Sequence, residues 1–296
     1  MKKMKKYRGR LVAAALAIMV SVVPVFARGA QSVPPKAAMQ TGVSVQSNEK
    51  AAVDASNIAE GYVLVKYTGG KNVKIKVQIT KGTTYTYNLN NQGANEVFPL
   101  TEGNGAYSIK VFENTEGNKY AQAYSCSVNL NLRNEFLPFL YPNQYVNFSD
   151  NSQCVGVAAQ IAAGKSDIDK LTAIYEYVVA NISYDYNKAA TVQPGYLPNN
   201  DTTLATRTGI CFDYASLMGA MLRSQNIPCK LVVGYAGEAY HAWINVYLEG
   251  QGWVEKAIYF DGQNWTLMDP TFASTGGAGA IDYITNNANY TMKYAY

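Results

Sequence analysis

The chain of 296 residues is long enough for two folded units, and its 48% apolar and 16% charged residues are ordinary for a globular protein. Its net charge is +4, but six basic residues and no acidic residue precede Arg28. Without residues 1–27 the net charge would be 4 − 6 = −2. The basic character therefore belongs to the N-terminus and does not support nucleic-acid binding, which we exclude.

The N-terminus is typical of a secretory signal peptide, with a basic start, an apolar run over 11–23 and a small-residue cleavage pattern ending at Ala27. A membrane anchor is the rival interpretation. The run is shorter than the roughly 20 apolar residues of a spanning helix, and Ser21 and Pro24 interrupt it. We therefore predict that residues 1–27 are removed, that the protein is secreted or held at the cell surface, and that no stable membrane span remains.

The next two segments differ sharply in pattern. Residues 28–57 are rich in Ala, Gln, Ser, Val and Pro without helical or strand periodicity, which predicts a flexible linker. Residues 58–133 then alternate apolar and polar residues in short runs separated by glycine-containing turns, which predicts a small antiparallel β-sandwich resembling an immunoglobulin fold. Because this region has no cluster of His, Cys or paired carboxylates, we interpret it as a binding or spacer module.

The four cysteines are Cys126, Cys154, Cys211 and Cys229. In an oxidising compartment, Cys126 and Cys154 would be the pair that forms a disulfide. Four free thiols, three of them structural, are an equally acceptable interpretation of the sequence.

After a connector that contains several prolines, the periodicity becomes helical. Ser166 is suited to cap a helix whose apolar residues recur at three- and four-residue steps as far as Ile182. A second helical pattern begins at Cys211, directly after Gly209 and Ile210. Free amides and the positive end of a helix dipole stabilise a thiolate, so Cys211 is a candidate nucleophile. The alternative is a small buried cysteine without chemistry.

His241 is the chain's single histidine and opens an alternating stretch. The even-numbered residues from 242 to 248 are apolar, so His241 and Trp243 are predicted to lie on the opposite face, toward a cleft. A lone histidine is more often structural than catalytic, so its role depends on its partners.

A carboxylate partner is available at Asp269, where an Asp-Pro sequence ends a predicted strand. A carboxylate fixed there can accept a hydrogen bond from one imidazole nitrogen and hold the other toward a thiol. Asp261 and Asp213 have simpler interpretations, as a turn residue and as a charge in the first turn of a helix.

Four ordered segments resemble the transglutaminase-like superfamily, whose core is papain-like: residues 209–215, 222–235, 241–243 and 268–271. The resemblance covers about residues 166–275. It implies an α+β domain over 134–296, in which a cysteine-bearing helix packs on an antiparallel sheet that presents the histidine and the aspartate. It also implies that Cys211 is the nucleophile, His241 its base and later acid, and Asp269 the group that orients the histidine.

These roles predict a secreted enzyme that attacks amide bonds of proteins or peptides, including those of the cell surface or cell wall, through an acyl-enzyme. Transfer to an amine would make it a transamidase and transfer to water a protease, and the sequence leaves both open. Backbone amides at the helix start would hold the oxyanion, with a side-chain donor from either Tyr184 or Trp243. An inactive binding protein on the same fold is the alternative from another functional class.

No cofactor or metal is predicted. One histidine and no close cysteine pair cannot assemble the usual zinc ligands, and the chain has no calcium loop of the EF-hand kind.

Overall fold

The computed structural model describes residues 36–255, 258–260, 265–267 and 290–296. The predicted signal peptide, the first part of the predicted linker and Asp269 lie outside these residues. Within the described ranges, no helix combines the length and the apolar composition that crossing a membrane would require. The described residues all belong to one compact unit.

The first half of the described chain is a β-sandwich. One antiparallel sheet consists, in spatial order, of β1 (Val45–Ser47), β2 (Ala51–Asp54), β3 (Tyr62–Tyr67) and β6 (Glu96–Pro99). The other consists of β5 (Thr84–Leu89), β4 (Ile75–Thr80), β7 (Gly105–Glu116) and β8 (Lys119–Leu130). Alternate residues of β4 and β5 are buried, which is the pattern expected where one face of a sheet packs on a core. The predicted sandwich is therefore present.

The prediction of an unstructured linker over 28–57 is wrong for residues 45–54. Strand β2 is fully buried and pairs antiparallel with β3, and β1 pairs with β2 in turn. An apolar run of three residues, Ala51 to Val53, is too short to show a period. Long-range pairing with β3 decides its conformation instead.

The second half has the α+β architecture that the resemblance implied. The helices that the structure describes there are α1 (Gln153–Ala162), α2 (Asp167–Asn181), α3 (Tyr186–Thr191), α4 (Asn200–Thr206) and α5 (Cys211–Ser224). Its main antiparallel sheet contains, in spatial order, β13 (Gly252–Val254), β12 (Ala239–Leu248), β11 (Cys229–Ala236) and β16 (Tyr290–Ala295). Two short parallel strands, β9 (Ser183–Tyr184) and β10 (Thr208–Gly209), and a hairpin of β14 (Ile258–Phe260) and β15 (Trp265–Leu267) complete it.

Helix α5 lies at the centre of this half. It packs on β11 and β12 on one side and on α1, α2 and α4 on the other, and its residues from Asp213 to Ser224 are buried. The Ser166 hydroxyl accepts a hydrogen bond from the Asp169 backbone N–H at 3.2 Å, so Ser166 caps α2 as predicted. Cys211 therefore begins a helix that is packed against the sheet on one side and against other helices on the other.

A buried arginine clamps the surroundings of α5. The Arg223 guanidinium donates to the carbonyl oxygens of Tyr141, Cys229 and Tyr296 at 2.7 to 2.9 Å. These carbonyls belong to the connector, to β11 and to the residue after β16. One side chain of α5 therefore fixes three segments that are distant in sequence.

The two halves share one hydrophobic core rather than the two separate cores that the chain length suggests. At their contact, the rings of Tyr85 and Tyr87 from β5 lie 5.5 and 5.8 Å from the ring of Tyr296. The ring of Tyr145 lies 5.8 Å from Tyr87 and 4.4 Å from Tyr296. Aromatic pairs at these distances each stabilise the contact by roughly 1 kcal/mol beyond their buried area.

Candidate active site

Cys211 is the first residue of α5, and the residue before it, Ile210, has an extended backbone. The first amides of a helix have no partner within the helix, so Cys211 lies at the end where these free amides and the positive end of the dipole are found. Cys211 is also partly exposed. The predicted place of Cys211 at the start of a helix is confirmed, and its role as nucleophile stays a prediction.

The other three cysteines have different surroundings. All four cysteines are free thiols, so the interpretation without a disulfide holds. Burial raises the pKa of both Cys154 and Cys229 to about 12, and it also raises the pKa of Cys126, which lies on β8 of the sandwich. These thiols stay protonated at neutral pH and are poor nucleophiles.

The turn into α5 also positions Tyr184. Gly209 pairs with Tyr184 in the parallel ladder of β9 and β10, and the Asp185 amide donates to the Gly209 carbonyl at 2.9 Å. A Cβ atom on Gly209 would lie 2.7 Å from the Cβ of Asp213, so only glycine fits there without a shift. Tyr184 is therefore held directly beside the start of the cysteine helix.

Asp213, in the first turn of α5, accepts a hydrogen bond from the Ile210 amide at 2.9 Å, which agrees with its predicted role at a helix start. The structure adds what the sequence did not indicate. The Asp213 side chain is completely buried, and its carboxylate also accepts from Lys188 at 2.6 Å and from the Tyr196 hydroxyl.

The hydrogen bonds to Asp213 affect the pKa of Lys188 and of Tyr196. Burial opposes the charged form of Lys188, but its bonds to Asp213 and Tyr196 outweigh that effect and raise its pKa. Burial and the bond to Asp213 raise the pKa of Tyr196. Lys188 is thus charged and Tyr196 neutral at physiological pH, and together they fasten α3 and the segment after it to the start of α5.

His241 lies on β12 opposite Gly234 of β11 and is 7% exposed. The predicted alternation of faces is confirmed: Ala242 and its even-numbered neighbours join the main core, while Trp243 packs in a separate small cluster. The prediction that Trp243 faces a cleft is wrong, because Trp243 is buried in that cluster and is not among the described residues of the cavity wall. A Cβ atom on Gly234 would lie 2.0 Å from the Thr291 carbonyl oxygen and 2.9 Å from the Trp243 ring. Glycine at 234 therefore allows β16 to pack closely against β11 at the position that pairs with His241.

Cys211 and His241 line the same cavity, which has a volume of about 560 Å³. Of the two side chains considered for the oxyanion, Tyr184 also lines it, whereas Trp243 is not among the described lining residues. The structure thus brings together two of the three predicted catalytic residues. The third, Asp269, lies outside the described residues, so its role stays a prediction.

Sequence reasoning missed most of the cavity wall. Six lining residues carry aromatic rings other than His241: Tyr145, Tyr184, Tyr196, Phe212, Tyr240 and Tyr296. Asn88, from strand β5 of the sandwich, lines the cavity as well. The excess of 24 Tyr over 9 Phe was the available signal, because tyrosine suits surfaces that are partly apolar and partly wet.

Comparisons with known proteins agree with this architecture. The profile of the transglutaminase-like superfamily matches residues 155–270. Human kyphoscoliosis peptidase is 27% identical over 198 residues, which are 61% of this chain and 27% of that protein. A protein-glutamine gamma-glutamyltransferase of Pseudomonas aeruginosa PAO1 is 34% identical over 77 residues, 25% of this chain and 11% of that protein.

Among solved structures, a candidate cysteine protease from Cytophaga hutchinsonii is similar with a TM-score of 0.40 and 17% identity, over 86% of this chain and 74% of that one. The chain matches only about a quarter of the length of the human relative. The human and Pseudomonas relatives bear the names of enzymes. The chain carries a transglutaminase-like domain over residues 155–270.

Proposed function

We propose that this protein is a secreted or cell-surface enzyme that uses Cys211 to attack amide bonds of proteins or peptides. One observation carries the proposal: a partly exposed cysteine at the first residue of a helix and the chain's single histidine line one cavity. The N-terminal signal pattern supports export, since the stretch before Arg28 is basic and then apolar.

In the proposed reaction, His241 takes the proton of the Cys211 thiol, and the thiolate attacks the amide carbonyl carbon. The C–N bond then breaks as the protonated His241 donates its proton to the departing amine, which leaves a thioester on Cys211. Asp269 would accept a hydrogen bond from the other imidazole nitrogen and hold the ring in place.

The negative oxygen of the tetrahedral intermediate needs donors at the start of α5. The first amides of the helix supply part of this stabilisation, and the Tyr184 hydroxyl is the side-chain donor that we propose. Tyr184 is favoured over Trp243 because β9 holds it beside Gly209 and it lines the cavity. An amine acceptor would then complete a transamidation, and water a hydrolysis.

The test uses the mature protein, a glutamine-containing protein substrate and a labelled primary amine, followed by intact mass. Label incorporation by wild type and not by Cys211→Ala would identify a transamidase, and new cleavage products without incorporation would identify a protease. Cys126→Ala is the matched control, because Cys126 is a free thiol on the sandwich, outside the lining of the cavity, and should leave activity intact. If neither product forms across a varied set of substrates, the chain is a binding protein and the proposal fails.

A further inference from the structure

The cavity beside Cys211 has an unusual wall. Besides Cys211 and His241, the described lining residues comprise the six aromatic side chains named above, several aliphatic ones and two neutral amides, Asn88 and Gln193. None of the described lining residues is Asp, Glu, Lys or Arg. Apart from Cys211 and His241, the described part of the wall therefore presents apolar groups, hydroxyl groups and neutral amides to an entering group.

A cationic side chain beside the wall, Lys188, is already bonded within the protein. Lys188 directs its ammonium group to the buried Asp213 carboxylate at 2.6 Å, and Tyr196 of the wall bonds to the same carboxylate. The part of the cavity wall that contains Tyr196 is therefore fixed to α5. The two charges of this ion pair satisfy each other, and neither Lys188 nor Asp213 is among the described residues that line the cavity.

Exposed apolar side chains surround the entrance. Tyr240 is 60% exposed and Leu197 40% exposed, and both line the cavity. Tyr235 and Tyr186, also exposed, contact Tyr240 and Tyr184 with ring centroids 5.6 and 5.0 Å apart. A patch of exposed apolar groups that continues into a cavity is typical of a ligand-binding groove.

The β-sandwich builds part of this space. Asn88 lies on β5, and a Cβ atom on Gly195 would come within 2.6 Å of the Asn88 amide nitrogen, so the wall segment and β5 are in direct contact. Gln144 donates to the Asn88 carbonyl at 2.7 Å, and Tyr87 stacks on Tyr145 of the wall. The sandwich therefore does more than space the enzyme from its surroundings.

We propose that this cavity is a specificity pocket for a bulky uncharged side chain, aromatic or branched aliphatic, on a substrate residue close to the attacked carbonyl, with one wall supplied by the sandwich. The inference rests on the proposed function and adds the class of substrate. An aromatic side chain buries 150–250 Å² of surface in such a pocket, roughly speaking. A charged side chain would lose water there without gaining a partner.

The first experiment measures alkylation of Cys211 by short peptidyl chloromethyl ketones, in which the thiolate displaces chloride to form a thioether. The series places Phe, Leu, Gly, Lys or Glu at each of the two positions that precede the ketone, and intact mass gives the second-order rate constant. We expect Phe or Leu at one of these positions to react about tenfold faster than Gly, Lys or Glu, or more. Equal rates across the series would overturn the pocket while leaving the proposed function in place.

Alkylation by iodoacetamide in parallel separates the two failures. If iodoacetamide modifies Cys211 but no peptidyl probe does, the proposed function itself is refuted, and the pocket with it. Faster reaction of the Lys or Glu probes would also overturn the pocket.

A charge placed in the sandwich wall tests the contribution of Asn88. Asn88→Asp changes an exposed side chain at constant size, and it should lower the ratio of the Phe to the Lys rate constant by about tenfold, because the new carboxylate attracts the cation. Asn129→Asp is the matched control, since Asn129 is an exposed residue of β8 in the same sheet and does not line the cavity. A ratio that is the same in both variants would refute the role of the sandwich.

Discussion

Replacing Asp213 by Asn should destabilise the protein and loosen the cavity wall together. The carboxylate is fully buried and accepts bonds from the Ile210 amide, Lys188 and Tyr196. Asn keeps the shape but removes the charge, which leaves the Lys188 ammonium without its acidic partner. Breaking a buried ion pair costs roughly 3–5 kcal/mol, and since the Lys188 side chain is 28% exposed we expect the lower end, about 3 kcal/mol.

The assay is urea unfolding of wild type, Asp213→Asn, Lys188→Met and the double variant. Because the two groups form one pair, the double variant should lose less than the sum of the single variants, by about 1–2 kcal/mol. The melting temperature of Asp213→Asn should fall by about 8 °C, on the scale of roughly 2–4 °C per kcal/mol for chains of this size.

The loosened wall should also appear in reactivity. In Asp213→Asn, discrimination between the Phe and Gly probes should shrink, because a neutral amide oxygen holds the Tyr196 hydroxyl less strongly than the carboxylate does. Additive losses in the double variant, or a loss below about 1 kcal/mol in Asp213→Asn, would contradict the idea that this pair holds the wall.

Three further outcomes follow from the described contacts. The hydrogen bond that Tyr67 donates to the buried Glu113 lowers the pKa of that carboxyl to about 2. Glu113→Gln should therefore lower the free energy of unfolding in urea by about 2 kcal/mol at pH 7. The difference from wild type should disappear as the pH falls from about 4.5 towards 2, because the carboxylate of the wild type becomes protonated there. Tyr184→Phe should lower kcat about tenfold with little change in KM, while iodoacetamide still alkylates the variant at the wild-type rate. An unchanged kcat would exclude the Tyr184 hydroxyl as an oxyanion donor. Gly234→Ala should lower the unfolding free energy by about 3 kcal/mol, because its Cβ would meet the Thr291 carbonyl, and a wild-type melting curve would contradict this packing.

The sequence predicted the parts of the site that depend on local pattern. A glycine before an apolar helical period marked Cys211 as a helix start, and strict alternation separated the face of His241 from the core. Both signals arise within a few residues of the group concerned, so a single sequence is enough to read them.

The parts that it missed depend on contacts between distant segments. Nothing local distinguishes Asp213 as a first-turn acid from Asp213 as the buried anchor of Lys188, 25 residues away in the chain. Asn88 likewise looks like any polar residue of an alternating strand, and only the packing of the two halves brings it to the cavity. Strand β2 was not predicted for the same reason, because pairing with β3 determines its conformation.

The position of β16 along the chain has a consequence for when the cavity can exist. Tyr296 forms part of the cavity wall, and its backbone bonds to Leu231 and to Arg223 complete the edge of the main sheet. Cys211 and His241 are both synthesised well before these residues. A chain that has been synthesised past His241 but not as far as β16 therefore carries both side chains without the complete cavity wall. The finished cavity therefore depends on the packing of β16, a strand that follows both residues by about fifty positions or more in the chain.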